Sequence, residues 1–305
     1  MQRFILRRFL QSMLLLFVLA LVIFGLARVS GNPADLLLRE DATQEDRAHL
    51  LRVLGLDRPV HEQLYIFLAG ALRGNLGDSI RYRRPATELF FERLPNTLRL
   101  LPLAMVGALA IAIPLGVLAA VYRGTFIDRV SGAVAVLGLA TPSFWLGIVL
   151  IYIFSIKLGV LPSSRMGGPS HYVLPAITLG VFLVAGMMRL VRSSLLEVMG
   201  SEFVKLARLK GLSQTVVIWK HCLRNALIPV TTLFGVYFAL LITGAIVTET
   251  VFAWPGVGRL TYEAVIFRDY PLLQAVILLK GIIVLGVNLG VDILYAYLDP
   301  RVRYA

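Results

Sequence analysis

Six long, continuous apolar runs constrain this chain more than any other feature. An α-helix needs about 20 predominantly apolar residues to cross a bilayer, and the runs cover residues 9–27, 100–122, 130–156, 172–191, 226–252 and 272–298. They are too long and too uniformly apolar for the short alternating strands of a membrane β-barrel. Because 58% of the residues are hydrophobic and only 16% are charged, we predict an all-α, polytopic membrane protein with six transmembrane helices.

Pro142 lies well inside the third run, so we expect a kink or break of the helix there. Such a break serves either the packing of the helices or an opening beside a pathway.

The net charge of +12 raises the question of a nucleic-acid partner, but the position of the charges argues against one. Residues 30–95 hold 9 basic and 10 acidic side chains, whereas the rest of the chain holds 21 and 8. The excess therefore lies among the apolar runs, where Lys and Arg set topology. If the runs alternate in direction, 14 of these residues fall on one side and 4 in the short loops opposite. We expect the positive side to be cytoplasmic, with both termini inside.

The same topology divides the chain into three parts. We predict an N-terminal transmembrane helix (1–29), an extracytoplasmic segment with short helices (30–96) and a five-helix core (97–305). The first run exceeds the roughly 7–15 apolar residues of a signal peptide, so we expect an uncleaved helix.

The extracytoplasmic segment carries clear helix boundaries. Thr43 and Asp46 have the spacing of a capping box, and the helix that they begin should end at Gly55. A second amphipathic helix should end near Gly74. A structural role and the docking of an external partner are both open for this segment.

Motifs of intrinsic enzyme chemistry are absent from the sequence. It has no G-x-x-x-x-G-K-[ST] phosphate loop, no G-x-S-x-G and no H-E-x-x-H. The four histidines are isolated, and Cys222, as the single cysteine, offers neither a disulfide nor a metal cluster. We therefore expect no catalytic residue, no metal site and no cofactor held by this chain.

A basic stretch between the fourth and fifth runs, KLARLKGLSQTVVIWKHCLRNALIP (residues 205–229), is too polar to be buried in lipid. Its apolar residues recur at helical spacing, and the basic residues lie largely on another face. Gly211 suits the left-handed position that ends a helix, and Ser213 suits the N-cap of the next one. The pattern predicts two short helices joined by a sharp bend, here named the elbow (residues 201–226). Periodicity leaves its role open, since such an element can lie on anionic headgroups, form a solvated loop or dock into a partner.

The elbow resembles the cytoplasmic EAA loop of ATP-binding-cassette (ABC) importer permeases, in the form found in the dipeptide/oligopeptide permease family. The family pattern R-x-A-R-x-K-G-[LV]-S, followed by H-x-L-R-N-A-[LM]-[IL]-P, is matched by Ala207, Arg208, Lys210, Gly211, Leu212, Ser213, His221, Leu223, Arg224, Asn225, Ala226, Leu227, Ile228 and Pro229. The resemblance covers nearly the whole chain, with further landmarks in family order: LGLDRPVHEQ (54–63), GNLGDSI (74–80), RLPNTL (93–98), SSLLEVMGSEFV (193–204), VTETVFAWPGVGRL (247–260), RDYP (268–271) and NLGVDILYAYLDPRVRY (288–304). The Glu and first Ala of the founding EAA motif fall at Lys205 and Leu206, where peptide permeases commonly depart as well. Leu209 stands where Ala is common, which alters the fit expected for a particular ATPase.

The resemblance implies a type I ABC importer permease, in the cytoplasmic (inner) membrane of a prokaryote. Its partners would be membrane lipid, a second homologous permease, two cytoplasmic ATPase subunits that bind ATP and Mg, and an extracytoplasmic binding protein that delivers di- or oligopeptides. A coupling loop at 192–226 would seat in an ATPase groove through Glu202, Leu206, Ala207, Arg208, Lys210, Gly211, Leu212, Ser213, His221, Arg224 and Asn225. Glutathione, nickel chelates and opines are alternative cargoes of the same machine. An ATP-independent secondary transporter or channel, or a passive membrane anchor, would be a different class of protein.

Polar groups inside the apolar runs are candidates for a translocation pathway, because ionisable side chains at membrane depth are costly and usually functional. The candidates are Thr243, Thr248, Glu249, Lys280, Asn288 and Asp292. We expect Glu249 and Lys280 to pair across the fifth and sixth runs. Asp292 also suits an ion pair with Arg301 or Arg303 near the C-terminus.

Overall fold

The computed structural model describes residues 2–29, 31–32, 38 and 43–298. All regular elements in these ranges are helices, and the only bridge between extended residues there joins Asp78 and Pro85. The predicted all-α class is therefore confirmed for this part of the chain. Arg301 and Arg303 lie outside the described residues, and the sides of the membrane on which the termini lie stay a prediction.

The helices are numbered here in chain order. They are α1 Gln2–Val29, α2 Gln44–Val53, α3 Val60–Leu72, α4 Ala86–Val121, α5 Phe126–Ala140, α6 Ser143–Lys157, α7 Val173–Met199, α8 Glu202–Leu209, α9 (residues 214–226), α10 Ile228–Val251, α11 Val257–Ile266 and α12 Tyr270–Leu298. α6 ends in a π-helical segment, Ile151–Lys157, and α9 joins Gln214–Val216, a π-helical Val217–Cys222 and Leu223–Ala226.

Each predicted apolar run falls on helix. Five helices in the described part are long and apolar enough to cross a membrane, and a sixth span results if α5 and α6 form one bent span. These two helices are bent by 102° at their break. Pro142 is the N-cap of α6 and Thr141 ends α5, which confirms the expected break. A proline donates no backbone hydrogen bond and disfavours helix in the residue before it.

The helix boundaries predicted for residues 43–74 are also confirmed. The Thr43 N–H donates to Asp46 Oδ2 at 2.9 Å, and the Asp46 N–H donates to Thr43 Oγ1 at 3.2 Å, which completes the capping box. Gly55 and Gly74, beyond the ends of α2 and α3, have φ angles of 66° and 75°. Glycine adopts this left-handed conformation without a steric penalty.

The chain forms two compact units, of which the first comprises Met1–Thr97 and Pro255–Ala305. In this unit α1 packs along α12. A Cβ atom added at Gly281 would lie 2.5 Å from Leu19 Cδ2, so the glycine permits the close approach of these two helices. The core draws buried residues from four helices: Ala20 and Ile23 of α1, Leu89 and Phe90 of α4, Leu260 and Ala264 of α11, and Leu272 and Val276 of α12.

The second unit comprises Leu98–Trp254. A buried cluster around the elbow joins residues of five helices: Val117 and Ala120 of α4, Val191 and Leu195 of α7, Val204 and Ala207 of α8, Val217, Ile218, Cys222 and Leu223 of α9, and Val230 of α10. α4 and α7 approach closely at Gly116, where an added Cβ would lie 2.7 Å from Val191 Cβ. The elbow is therefore built onto the ends of two long helices rather than held as a free loop.

Candidate functional site

The bend of the elbow is fixed by backbone hydrogen bonds at the end of α8. The N–H of Leu212 donates to the Ala207 carbonyl at 3.4 Å, and the N–H of Gly211 donates to the Arg208 carbonyl at 3.0 Å. These two bonds are the Schellman pattern, which places the residue after the C-cap in the left-handed region. Gly211 has a φ of 78°, as predicted. The two helices therefore meet at a defined angle instead of a flexible joint.

The predicted N-cap at Ser213 is confirmed by its backbone but not by its side chain. Ser213 is extended, with φ −62° and ψ 146°, and α9 begins at the next residue. Its hydroxyl makes no capping hydrogen bond, whereas its carbonyl accepts from the Val217 N–H at 3.0 Å. The serine thus marks the start of α9 through the backbone alone.

The elbow has one apolar face turned into the protein and a second one exposed. Val204, Ala207 and Cys222 belong to the buried cluster. The second face consists of large exposed side chains, namely Phe203, Leu206, Leu209, Leu212, Val216 and Trp219. Leu206 is 58% and Leu209 83% exposed. Burial of one stripe by the protein's own core leaves the other available to a partner.

The predicted coupling residues are divided between these two faces. Ala207 lies in the buried cluster, where it supports the elbow from inside, and its role in coupling stays a prediction. Arg208, Lys210, Leu212 and Arg224 are exposed. Glu202 is exposed as well and forms an ion pair with Lys205 (Oε1–Nζ 2.7 Å) within α8.

The remaining predicted residues of the elbow have local roles. Asn225 Nδ2 donates to the His221 carbonyl at 2.8 Å, which stabilises the last turn of α9. Arg192, where the predicted coupling loop begins, still belongs to α7, since that helix continues to Met199. Burial raises the pKa of the Cys222 thiol, and the nearby Arg208 only partly opposes this shift.

Four exposed apolar residues of the elbow were absent from the predicted site. Phe203 and Leu209 belong to the apolar residues at helical spacing but not to the predicted coupling set, and Val216 and Trp219 were not singled out by the sequence. Phe203 and Leu209 lie three residues before and after Leu206 in α8, and Val216 and Trp219 lie three residues apart in α9. That spacing was the available signal, but a pattern cannot tell which of two apolar stripes faces the core.

The predicted pathway residues have varied environments. Thr248 and Glu249 are 1% and 0% exposed, and the Thr248 hydroxyl has no hydrogen-bond partner. Thr243 donates to the Ala239 carbonyl at 3.2 Å within α10. Lys280 is 7% exposed and Asn288 is exposed. The side chain of Asp292 lies outside the described residues, and the pairing of Glu249 with Lys280 stays a prediction.

A polar cluster in the first unit joins two of the landmark motifs, GNLGDSI and RDYP. The carboxylate of Asp269 is 1% exposed. Its Oδ1 accepts from the N–H groups of Ile80 (3.1 Å) and Leu272 (3.2 Å), and its Oδ2 accepts from Ser79 Oγ (2.5 Å) and the Arg81 N–H (3.1 Å). This single side chain fixes the 77–86 hairpin, which closes through the Ser79 N–H to Arg84 carbonyl bond, onto the start of α12.

The same hairpin has a second attachment to α11. The hydroxyl of Tyr82 donates to Glu263 Oε2 at 2.6 Å, and Arg259 Nε donates to Glu263 Oε1 at 3.0 Å. The guanidinium of Arg81 lies 3.4 Å from the ring centroid of Phe267. Burial and, next, the bond to Glu263 raise the pKa of the Tyr82 phenol. Sequence reasoning treated these segments only as landmarks and assigned them no contact.

No arrangement in the described part of the chain suits a metal ion, since no group of three or more His, Cys, Asp or Glu side chains converges there. The exposed apolar side of the elbow is the candidate site considered below.

Comparisons with known proteins identify the family of the whole chain. Residues 112–304 match the family model described as binding-protein-dependent transport system inner membrane component, and residues 1–101 match the model of its N-terminal region. The chain is 39% identical to the glutathione transport system permease protein GsiC of Escherichia coli O6:H1 and 40% identical to that of Salmonella choleraesuis, in both cases over the full length of both chains.

Solved structures show the same fold. A structure of the MetNI methionine ABC transporter in an inward-facing conformation covers 69% of this chain and 96% of its own, with a TM-score of 0.59 and 20% identity. An amino acid ABC transporter covers 69% of this chain and 94% of its own, with a TM-score of 0.52 and 16% identity. The full-length relatives and the family match over most of the chain together show that this protein belongs to the inner membrane components of binding-protein-dependent transport systems, the permease subunits of ABC importers.

Proposed function

We propose that this permease carries short peptides into the cell, and that glutathione, itself a tripeptide, is the first cargo to test. The cargo rests on the full-length similarity to permeases named for glutathione transport. Di- and oligopeptides remain the broader class, because the landmark motifs resemble the dipeptide/oligopeptide permeases. The predicted pathway groups Thr243, Thr248, Glu249, Lys280, Asn288 and Asp292 would contact the polar backbone and termini of such a cargo.

The elbow is proposed to couple this movement to ATP hydrolysis by a partner subunit. The observation that carries the proposal is the exposed apolar side of the elbow, held on a buried platform. Leu206 and Leu212 flank the Schellman bend, and Val204 and Ala207 fix the opposite side in the core. A short helix with apolar side chains on its outer face is suited to a groove in another protein.

The proposed importer needs partner subunits in addition to this chain. We propose two cytoplasmic ATPase subunits that bind ATP and Mg, a second homologous permease and an extracytoplasmic binding protein. The elbow would then face the cytoplasm, and residues 30–96 would lie outside, as the distribution of Lys and Arg indicates. ATP-driven closure of the ATPases would move the elbows and, through them, the transmembrane helices.

The test is ATP hydrolysis by the assembled importer in lipid nanodiscs, measured with and without the binding protein, glutathione or a dipeptide mixture. Stimulation by binding protein loaded with glutathione would support the proposed cargo. Stimulation only by other peptides would support the proposed ATP-driven importer but assign it a cargo other than glutathione. Gradient-driven flux through the permease alone, without an associated ATPase, would contradict both.

A matched pair of variants tests the elbow itself. Leu206 and Leu158 are both 58% exposed leucines of the second unit, but Leu158 follows α6 and lies outside the elbow. Leu206→Ser should weaken ATPase binding and stimulated hydrolysis at least tenfold, since burying a leucine is worth about 1.5–3 kcal/mol. Leu158→Ser should leave both unchanged. If Leu206→Ser only reduced binding to anionic liposomes, the elbow would be a headgroup-binding element.

A further inference from the structure

The α4–α5 connection and α7 are joined by an ion pair that the proposed function has not used. Asp128 lies in the first turn of α5, and Arg192 lies in α7. Arg192 Nε is 2.6 Å from Asp128 Oδ1, and Nη2 is 2.9 Å from Oδ2. Two parallel N–H···O bonds between a guanidinium and a carboxylate fix orientation as well as distance. The Asp128 side chain is 13% and the Arg192 side chain 34% exposed.

The same carboxylate also fixes the turn before α5. The Gly124 N–H donates to Asp128 Oδ2 at 2.9 Å, and Gly124 has a φ of 78°. The hydroxyl of Thr125 donates to the Tyr122 carbonyl at 2.6 Å. The end of α4, the turn and the start of α5 are thus tied to α7 through one side chain.

Arg192 is placed on the part of α7 against which the elbow packs. Val191 and Leu195, one residue before and three residues after it, share a buried cluster with Val204 and Ala207 of α8. A displacement of the elbow therefore acts on the helical turn that carries Arg192. Packed interiors are dense enough to transmit such a displacement instead of absorbing it.

α5 follows α7 over much of its length. Near the far end of α5, a Cβ added at Gly138 would lie 3.1 Å from Ala185 Cβ of α7. α5 is thus in contact with α7 at the Asp128 end and again close to its last turn. The break at Pro142 follows immediately, where α6 departs from α5 at 102°.

We propose that Asp128 and Arg192 are a positioning pair that carries movement of the elbow into the bent third span. The inference rests on the proposed role of the elbow as the coupling element. When the elbow moves, α7 moves with it, and the bidentate pair makes the first turn of α5 follow. α5 then changes the angle at Pro142, which moves α6. Without the pair, the elbow moves α7 alone and ATP is hydrolysed with less transport.

The test compares uptake per ATP hydrolysed in proteoliposomes that contain the full importer and its binding protein. Asp128→Asn should leave ATP hydrolysis within about twofold of the wild type and lower uptake per ATP about fivefold or more. A fivefold effect is about the smallest that is typical of energetic coupling between two sites. Arg192→Lys keeps the charge but loses the bidentate geometry, so it should give an intermediate loss. The charge-swapped pair Asp128→Arg/Arg192→Asp should regain part of the ratio.

Glu88→Gln is the matched control, since it removes an acidic partner of Arg84 (Oε1–Nη2 2.6 Å) from an exposed pair in the other unit. It should leave uptake per ATP unchanged. If Asp128→Asn kept the wild-type uptake per ATP hydrolysed, the proposal would be overturned. A charge-swapped pair that regained none of the lost uptake per ATP would overturn it as well. Equal loss of hydrolysis and uptake, or loss of the assembled complex, would also overturn it, because the pair would then serve stability only. A wild-type importer that shows no ATP-dependent uptake would instead refute the proposed function.

Discussion

Replacing Asp269 by asparagine should markedly destabilise the first unit. Four donors converge on this buried carboxylate: the N–H groups of Ile80, Arg81 and Leu272 and the hydroxyl of Ser79. The asparagine has nearly the same shape, so the change removes charge and one acceptor without leaving a cavity. The expected effect is therefore an electrostatic one.

The size of the effect follows from the partners of each oxygen. If the amide oxygen keeps Ile80 and Leu272, the new NH2 group faces the Arg81 N–H, and that part-buried donor loses its partner at about 1 kcal/mol or more. The Ser79 hydroxyl can turn and accept a bond from the amide. Each retained bond loses about 1 kcal/mol, because hydrogen bonds to a charged group are stronger than neutral ones. We expect Asp269→Asn to lower the free energy of unfolding by about 3–5 kcal/mol.

The assay is chemical unfolding of the purified permease in detergent, followed by the tryptophan fluorescence and the far-ultraviolet circular dichroism. Ser79→Ala, which removes one donor and leaves the charge, should lose about 1–2 kcal/mol. Asp46→Asn is the control, since this aspartate caps α2 at the surface, and its loss should be much smaller. A value for Asp269→Asn within about 1 kcal/mol of the wild type would refute the reasoning, because a single neutral hydrogen bond is worth that much.

Three further predictions concern other positions. Gly211→Ala should cost about 1–2 kcal/mol of backbone strain, because its φ is 78° although an added Cβ meets no atom within 4 Å; a lower melting temperature and weaker ATPase binding would report it, and an unchanged protein would contradict the Schellman bend. The pKa of the Tyr82 phenol is raised in the folded protein, so the stabilising contribution of this side chain is complete below the ordinary phenol pKa of about 10. That contribution is lost as the pH rises through the pKa that the phenol has in the folded protein. The difference in unfolding free energy between wild type and Tyr82→Phe should therefore shrink above about pH 10, and a constant difference would argue against the raised pKa that burial and the bond to Glu263 produce. Cys222, buried and with a raised thiol pKa, should react with maleimide at least tenfold more slowly in the folded protein than in denaturant; equal rates would show that the α9 face is open.

Much of the fold could be predicted because its signals are local. The spans follow from the length of the apolar runs, and the break at Pro142 follows from the missing N–H of proline. Gly211 marked the bend because few other residues tolerate a positive φ. Thr43 and Asp46 defined a helix start three residues apart, within reach of one side chain.

The features that escaped prediction depend on contacts that are distant in the sequence. Ser79 and Asp269 are 190 residues apart, and no periodicity relates a hydroxyl in one motif to a carboxylate in another. Ala207 was predicted as a coupling residue alongside Leu206, yet the structure buries the first and exposes the second. Both belong to apolar stripes of α8, and only the packing of α8 on α4 and α7 decides which stripe stays exposed.

The hairpin held by Asp269 also has a consequence for the order of synthesis. The first unit is discontinuous in sequence, because residues 98–254 are made between its two parts. While the ribosome produces those residues, the N–H groups of Ile80 and Arg81 cannot donate to the Asp269 carboxylate and must donate to water instead. The hairpin can dock only after Asp269 and the start of α12 have emerged. A chain released after residue 254 would therefore insert most of its spans and still leave its N-terminal part unfinished. Folding of the permease is complete only after its last helices have been made.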